Sequence, residues 1–411
     1  MRLILNALLS TMATSRVGRI SIIGGGVGGC SAAKTISNLL GSAVEVTVYE
    51  IGRGPGGRAA TRRTREFPGL HVNHGAPTAQ IVTEEGRKAI EEAGGEEVKG
   101  GHGTLNSLTG EFQEKEEGGC GWLYVGEGGV MGNLAASLIE GTGANVKTKY
   151  NSMVRGLERA ANGDDGSLSW ILRNGAGEIL GEADWLVVAG SGVAHPRWTA
   201  TFGNEPPLVE AAKALGDSKL DSSLKAIASQ TASPVIAVFF VLSGSEAQRW
   251  LDLPFKVAKI EGNDVLGKVM IQRTGEEGDE VAVVLHSSRE FAETNKGVYG
   301  STSSAKRVGG AKSDKGKEDE LNAMMLEALA EIPRIPEVPT TCKYGPVLHR
   351  WGNAFVVGEG LRRENSLCRD AKVAFCGDYV ETDAPLGSIE CALLAGKQTG
   401  EAIVTEIKGG A

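Results

Sequence analysis

Apolar and polar positions along the chain fall into blocks whose period changes from strand-like to helix-like and back. Residues 19–23 are a short apolar run that stops at glycine, as a buried parallel strand does. Ala32, Ala33, Ile36, Leu39 and Leu40 then recur at helical spacing, and residues 44–49, rich in β-branched side chains, read as a second strand ending at Glu50. The pattern further predicts a short helix over 84–93. Another follows a glycine turn, carried by Leu134, Leu138 and Ile139, with Met131 in the core. Residues 153–158, 168–173 and 184–188 predict a strand meander. Residues 234–242 and 281–286 predict strands of a mostly antiparallel sheet. A helix is expected over 318–331, a strand over 373–376, and a closing helix over 388–400.

Composition narrows the class. Glycine makes up 59 of 411 residues, about twice average usage, with no period of three, which excludes collagen. Hydrophobic residues at 41% and charged residues at 23% mark a globular chain. The net charge of −8 argues against nucleic acid as the main partner. Cys30, Cys120, Cys342, Cys368, Cys376 and Cys391 form no C-x-x-C pair, so neither a disulfide framework nor a zinc site is indicated, and no metal site is legible. Dispersed thiols suit the cytoplasm or an organelle matrix. No apolar run is long enough to span a membrane. Residues 1–17 read as an N-terminal extension. Acid-poor and rich in hydroxyls and arginine, it reads either as a targeting segment or as an unstructured lead with Met12 as the start.

The first chemical signal lies in the turn after the first strand. Gly24, Gly26 and Gly29 occupy G-x-G-x-x-G positions between strand and helix. The first allows the tight turn, the second a close backbone approach to a pyrophosphate, and the third close packing of helix on strand. Free N–H groups and the helix dipole then favour an anion at the helix N-terminus. Glu50 stands where an acid accepts hydrogen bonds from a ribose. Gly54, Gly56 and Gly57, with Arg53, Arg58, Arg62 and Arg63, form a second loop suited to wrapping a dinucleotide from the other side.

The segments GGGVGG, VTVYE, RGPGGRAATRR and HVNHGA together resemble the renalase-like branch of the flavin amine oxidase superfamily. The resemblance implies non-covalently bound FAD, with Gly24, Gly26, Gly29, Glu50, Gly57, Arg58, Gly75 and Ala76 lining it. It extends to Val154, matching a valine whose backbone meets the adenine, and to Gly377 and Asp378, the latter a ribityl contact. Ser388, Ile389 and Glu390 open a helix aimed at the flavin pyrimidine, where a helix dipole stabilises negative charge on the reduced ring. Cys391 falls on that helix's apolar stripe and reads as a core thiol. Pro77-Thr78 stand where the family commonly has Gln-Tyr.

The implied fold class is α/β with α+β: a Rossmann-type FAD-binding domain joined to a second, mostly antiparallel substrate domain. The expected boundaries are 18–80, 127–200 and 366–411 for the first. The second takes 81–126 and 201–365, with a flexible loop over 297–317. The implied activity is that of an FAD-dependent oxidase or oxidoreductase. It would take hydride from a small-molecule substrate, an isomeric NAD(P)H of dihydronicotinamide type or an amine, and pass electrons to O2, forming hydrogen peroxide. Flavin chemistry demands no fixed acid–base residue, but His286, His349 and Arg350 are candidates for substrate contact. Two alternatives share the motifs: a desaturase or protoporphyrinogen-oxidase-like dehydrogenase, and a non-catalytic flavin-fold binding protein. Oligomeric state is not legible.

Overall fold

The computed structural model describes residues 17–115, 121–162, 167–312 and 314–409. Residues 1–16 of the expected extension, and Cys120, lie outside the described residues.

Gly18–Ile23 (β1) pairs in parallel with Val44–Tyr49 (β2) on one side and Trp185–Val188 on the other. Val146–Lys149 extends this six-stranded sheet beyond β2, and Val373–Phe375 and Leu367–Cys368 extend it beyond Trp185–Val188. Parallel strands covered on both faces need apolar side chains at nearly every position, which is why β1 and its neighbours read as continuous runs. Ile22, Val46, Leu186, Val187 and Phe375 are all fully buried. Each such side chain contributes roughly 1.5–3 kcal/mol. Val27–Leu40 (α1) lies on this sheet through Ala32, Ala33 and Ile36, while Leu39, on its last turn, is 46% exposed.

The expected meander differs in two places. Its third strand is Ile179–Ala183, and the run 184–188 assigned to it joins the parallel sheet instead. The reason is burial: all four residues of Trp185–Val188 are buried, which suits a central parallel strand and not a half-exposed meander. The first strand begins at Gly156, not 153. The residues before it hold the β2 loop instead, with Asn151 N donating to Gly52 O and Ser152 N to Glu50 O.

A second sheet of seven strands is mostly antiparallel. Its centre is built from Thr231–Leu242 (β3), Leu266–Thr274 (β4), Glu280–Ser287 (β5) and Tyr344–Val357 (β6). Alternation along β3 divides the sheet's two faces. Ile236, Val238, Phe240 and Leu242 pack with Trp250, Leu321 and Met325 from the covering helices. Phe239 and Val241 pack with Leu70 and Val72, beside the hairpin of Thr61–Arg63 and His71–Asn73. Residues 297–317 contribute a helical turn, Ser304–Arg307, with Val298 and Ala311 buried.

The last helix, Ile389–Gly409 (α2), outruns the expected 388–400 because Ile403 and Val404 extend its buried stripe. It lies against α1 at backbone contact. A Cβ on Gly396 would stand 2.2 Å from the Gly28 carbonyl oxygen, so only glycine allows this approach.

Candidate functional site

Two residues of the turn from β1 into α1 admit no side chain where they stand. Gly24 has φ +114°, and a Cβ on Gly29 would lie 2.0 Å from the Gly24 carbonyl oxygen. Gly29 is thus the packing glycine, beneath the site rather than on its surface. Gly26 precedes α1 with no side-chain cap, which leaves first-turn N–H groups of the helix open to an anion. Across the turn Gly26 forms a parallel bridge with Gly56, and Gly56 N donates to Gly25 O at 2.8 Å. The second glycine loop therefore closes onto the first, with Gly57 at φ +57° a Cα's width from Gly26.

Glu50 ties these loops together. One carboxylate oxygen accepts from Gly25 N at 2.8 Å and the other from Gly52 N at 2.5 Å. Burial pushes its pKa up, and the two backbone N–H groups oppose that rise. The same residue borders the cavity described below.

Arg58 and Asp378, 320 residues apart, form a two-pronged ion pair at 2.6 and 2.5 Å. The Asp378 side chain is 4% exposed and that of Arg58 36%. Arg197 stands close by and donates to Ser191 Oγ at 2.6 Å. Burial, then the charge of Arg58, pushes its pKa down to about 10. Ala76 N donates to Arg58 O, and a Cβ on Gly75 would lie 2.1 Å from that same oxygen. Ser388 caps α2, its hydroxyl accepting from Cys391 N at 2.9 Å. Glu390, expected beside the pyrimidine with Ser388 and Ile389, instead points away from the site, fully buried, because it accepts from Val82 N, Thr83 N and the Thr83 hydroxyl. The Cys391 thiol is buried and pushed up to about 11, chiefly by desolvation.

The opposite wall is one cross-strand row of the second sheet. Lys268 on β4 pairs with His286 on β5, His286 with Ala237 on β3, and Ala237 with His349 on β6. His74, just before Gly75, joins the wall to the glycine loops. Its carbonyl contacts His286 Nε2 at 3.0 Å and accepts from Trp351 Nε1 at 3.1 Å. Its ring lies edge-on to His349 at 4.9 Å and against Trp351 at 5.1 Å. Burial lowers the pKa of every imidazole here: His74 to about 4, His286 to about 3, and His349 well below its ordinary value. All three are neutral at pH 7. Burial also lowers Lys268. Arg350, on the other face of β6 from His349, lies over the Tyr299 ring at 4.9 Å.

These groups surround one cavity of about 1250 Å³. Gly24, Gly26, Glu50, Gly57 and Arg58 line it from the first two loops, with Gly75 and Ala76 from the third. Val154, Gly377, Asp378, Ser388 and Ile389 complete the same side, and His286, His349 and Arg350 the other. Lys268, His74, Trp351 and Arg197 line it too and were not singled out from sequence. Lys268 had a signal: a lysine within the strand-like run LGKVMI. Among the described residues no group of His, Cys, Asp or Glu is arranged to hold a metal ion.

This architecture is the fold shared with putrescine oxidase and cyclohexylamine oxidase. Residues 22–87 match the NAD(P)-binding Rossmann-like domain family. Among solved structures, putrescine oxidase bound to putrescine superposes with a TM-score of 0.57 at 14% identity, over 94% of this chain and 99% of that one. Cyclohexylamine oxidase from Brevibacterium oxydans IH-35A gives 0.59 at 14% identity, over 95% and 100%. A proposed protoporphyrinogen oxidase from Exiguobacterium sp. 255-15 gives 0.56 at 13%, over 95% and 99%. No curated protein matches this chain. At these identities the likeness is one of fold.

Proposed function

We propose that this chain is an FAD-dependent oxidoreductase of renalase-like type. It would take hydride from a dihydronicotinamide-type or amine substrate and pass the electrons to O2. The observation that carries this reading is convergence. Glycine loops at 24–29 and 54–57, Arg58, Gly75-Ala76, Gly377-Asp378 and the start of α2 are far apart in sequence, yet line one cavity. Non-covalent FAD fits a cradle in which the α1 N-terminus carries no side-chain cap and two arginines face one carboxylate. The corresponding division is an FAD domain of 18–80, 127–200 and 366–411, and a substrate domain of 81–126 and 201–365.

Bound FAD supplies the two-electron chemistry. The chain's own residues bind, orient and exclude water. First-turn N–H groups of α1, with Arg58 and Arg197, would hold the diphosphate. Glu50 and Asp378 hold the two loops and Arg58 in place. The α2 N-terminus, which lines the cavity at Ser388 and Ile389, would offer a positive dipole end to negative charge on a bound ring system. Neutral His286 and His349, with Trp351, make a dry wall that adds no fixed charge. Lys268, made more acidic by burial and without a hydrogen bond to any described residue, can hold or release a proton at Nζ.

The purified protein should be yellow and release FAD on heat denaturation. Anaerobic mixing with isomeric dihydronicotinamides should bleach it, and air should restore the colour with formation of hydrogen peroxide. A colourless protein that takes up no added FAD would overturn the reading.

A further inference from the structure

Part of the segment expected from sequence as a flexible loop over 297–317 lines the cavity and reaches across to its other side. We propose that residues 299–309 are a strap that closes the cavity at its Glu50 end and must open for a dinucleotide to enter or leave. The proposal rests on the FAD-dependent reading above and goes beyond it, to how the cofactor is kept.

The base of the strap is fixed to the second sheet. Val298 is buried in the core between that sheet and its covering helices. The Tyr299 ring lies against the Arg350 guanidinium of β6 at 4.9 Å. Gly300, at φ +84°, runs so close to β6 that a Cβ would stand 2.5 Å from the Leu348 carbonyl oxygen. Ser303 is buried and caps the turn Ser304–Arg307, its hydroxyl accepting from Lys306 N at 3.2 Å. Thr302, Ser303, Ser304 and Arg307 all line the cavity.

The tip is latched to the other side. Arg307 donates to Asn151 Oδ1 at 2.6 Å, and Arg155 donates to the Gly309 carbonyl oxygen at 3.3 Å. These two partners bracket Ser152, Met153 and Val154, which line the cavity opposite the strap's own residues. Arg155 is in turn held over the Phe202 ring at 4.6 Å. Asn151 belongs to the Glu50 network: its N–H donates to Gly52 O at 2.8 Å, and Gly52 N donates to the Glu50 carboxylate at 2.5 Å. A chain of hydrogen bonds therefore joins the strap to the acid that the glycine fingerprint sets for a ribose.

Base and tip differ in how they are held. Apolar burial and backbone packing anchor the base, whereas among the described residues two hydrogen bonds carry the tip across. Segments held by few hydrogen bonds and little apolar contact open locally at low cost, without unfolding the sheets beneath them. Gly310, at φ +74° with open space around its Cα, supplies a hinge beside the latch.

The test measures the rates of FAD release and uptake. Release is followed from the holoprotein after dilution, by the rise of free flavin fluorescence, and uptake by its loss on remixing with the stripped protein. The variants are Arg307→Ala and Asn151→Gly, the second removing the acceptor while keeping a residue suited to the φ of +53° at that position. Each should speed release at least about fivefold. Each should also speed uptake, because an unlatched strap is open for more of the time with or without cofactor. The double variant should be no faster than either single one, since the two side chains form one latch. Trypsin should cut FAD-loaded Asn151→Gly after Lys306 or Arg307 sooner than it cuts the FAD-loaded wild type. Unchanged rates in both variants of a yellow protein overturn the strap alone. So does faster release with unchanged uptake, which would make Arg307 a direct contact of the cofactor. A wild type that takes up no FAD overturns the cofactor reading and this proposal together.

Discussion

Lowering the pH from 7 to 5 should destabilise this protein through its buried imidazoles. His74 and His286 are each 7% exposed, and burial lowers them to about 4 and about 3. In the unfolded chain each returns to about 6.5. Between those values the unfolded state binds more protons than the folded one, so stability falls as pH falls through that window. At pH 5 each histidine gives the unfolded state an advantage of roughly 2 kcal/mol, or about 4 kcal/mol for the pair. That is a large part of the ~5–15 kcal/mol that holds a typical domain together. His349 adds to the loss in the same direction. The assay is urea unfolding at pH 7, 6 and 5, with His286→Asn as comparison. The variant should show a shallower fall than wild type, by about 2 kcal/mol at pH 5. A wild-type midpoint that stays level or rises on acidification would refute the account of these rings as neutral and desolvated.

Gly29→Ala places a Cβ 2.0 Å from the Gly24 carbonyl oxygen and should abolish flavin retention or soluble expression, read by the ratio of flavin to protein absorbance. Glu50→Ala and Asp378→Ala should each weaken FAD retention, because the first frees two loop N–H groups and the second leaves Arg58 facing Arg197 without a carboxylate; full flavin content in both would contradict the assigned cradle. Breaking the Arg58–Asp378 pair should also cost about 2–4 kcal/mol in unfolding experiments, since one partner is buried and the other part-exposed. Lys268→Met should keep its flavin but slow substrate bleaching at least about tenfold, with any pH dependence of the wild-type rate flattened; an unchanged rate profile would remove Lys268 from proton handling.

What was legible in the sequence was local. β1, α1 and β2 each carry their own periodicity, and the glycines between them answer to backbone sterics within a few residues, as at Gly24. Long apolar runs such as β3 and β5 announced the second sheet in the same way. The run 184–188 carries a strand's pattern, but which strands it pairs with is set by burial on both faces and not by its own residues.

What only the tertiary structure decided is which side chains meet. The row Lys268–His286–Ala237–His349 depends on the register of four strands, and a slip of one residue would turn each side chain to the other face. Asp378 has no local sign that it answers Arg58, nor Glu390 that it turns from the cavity to hold Val82 and Thr83. Arg307 borders the same cavity as Arg53, Arg62 and Arg63 only because the fold brings the turn Ser304–Arg307 to the loop after β2. The chain's own chemistry specifies turns, strands and helices through interactions over a few residues. The charge balance and dryness of the site arise from contacts between segments hundreds of positions apart, and those exist only once the two sheets have packed.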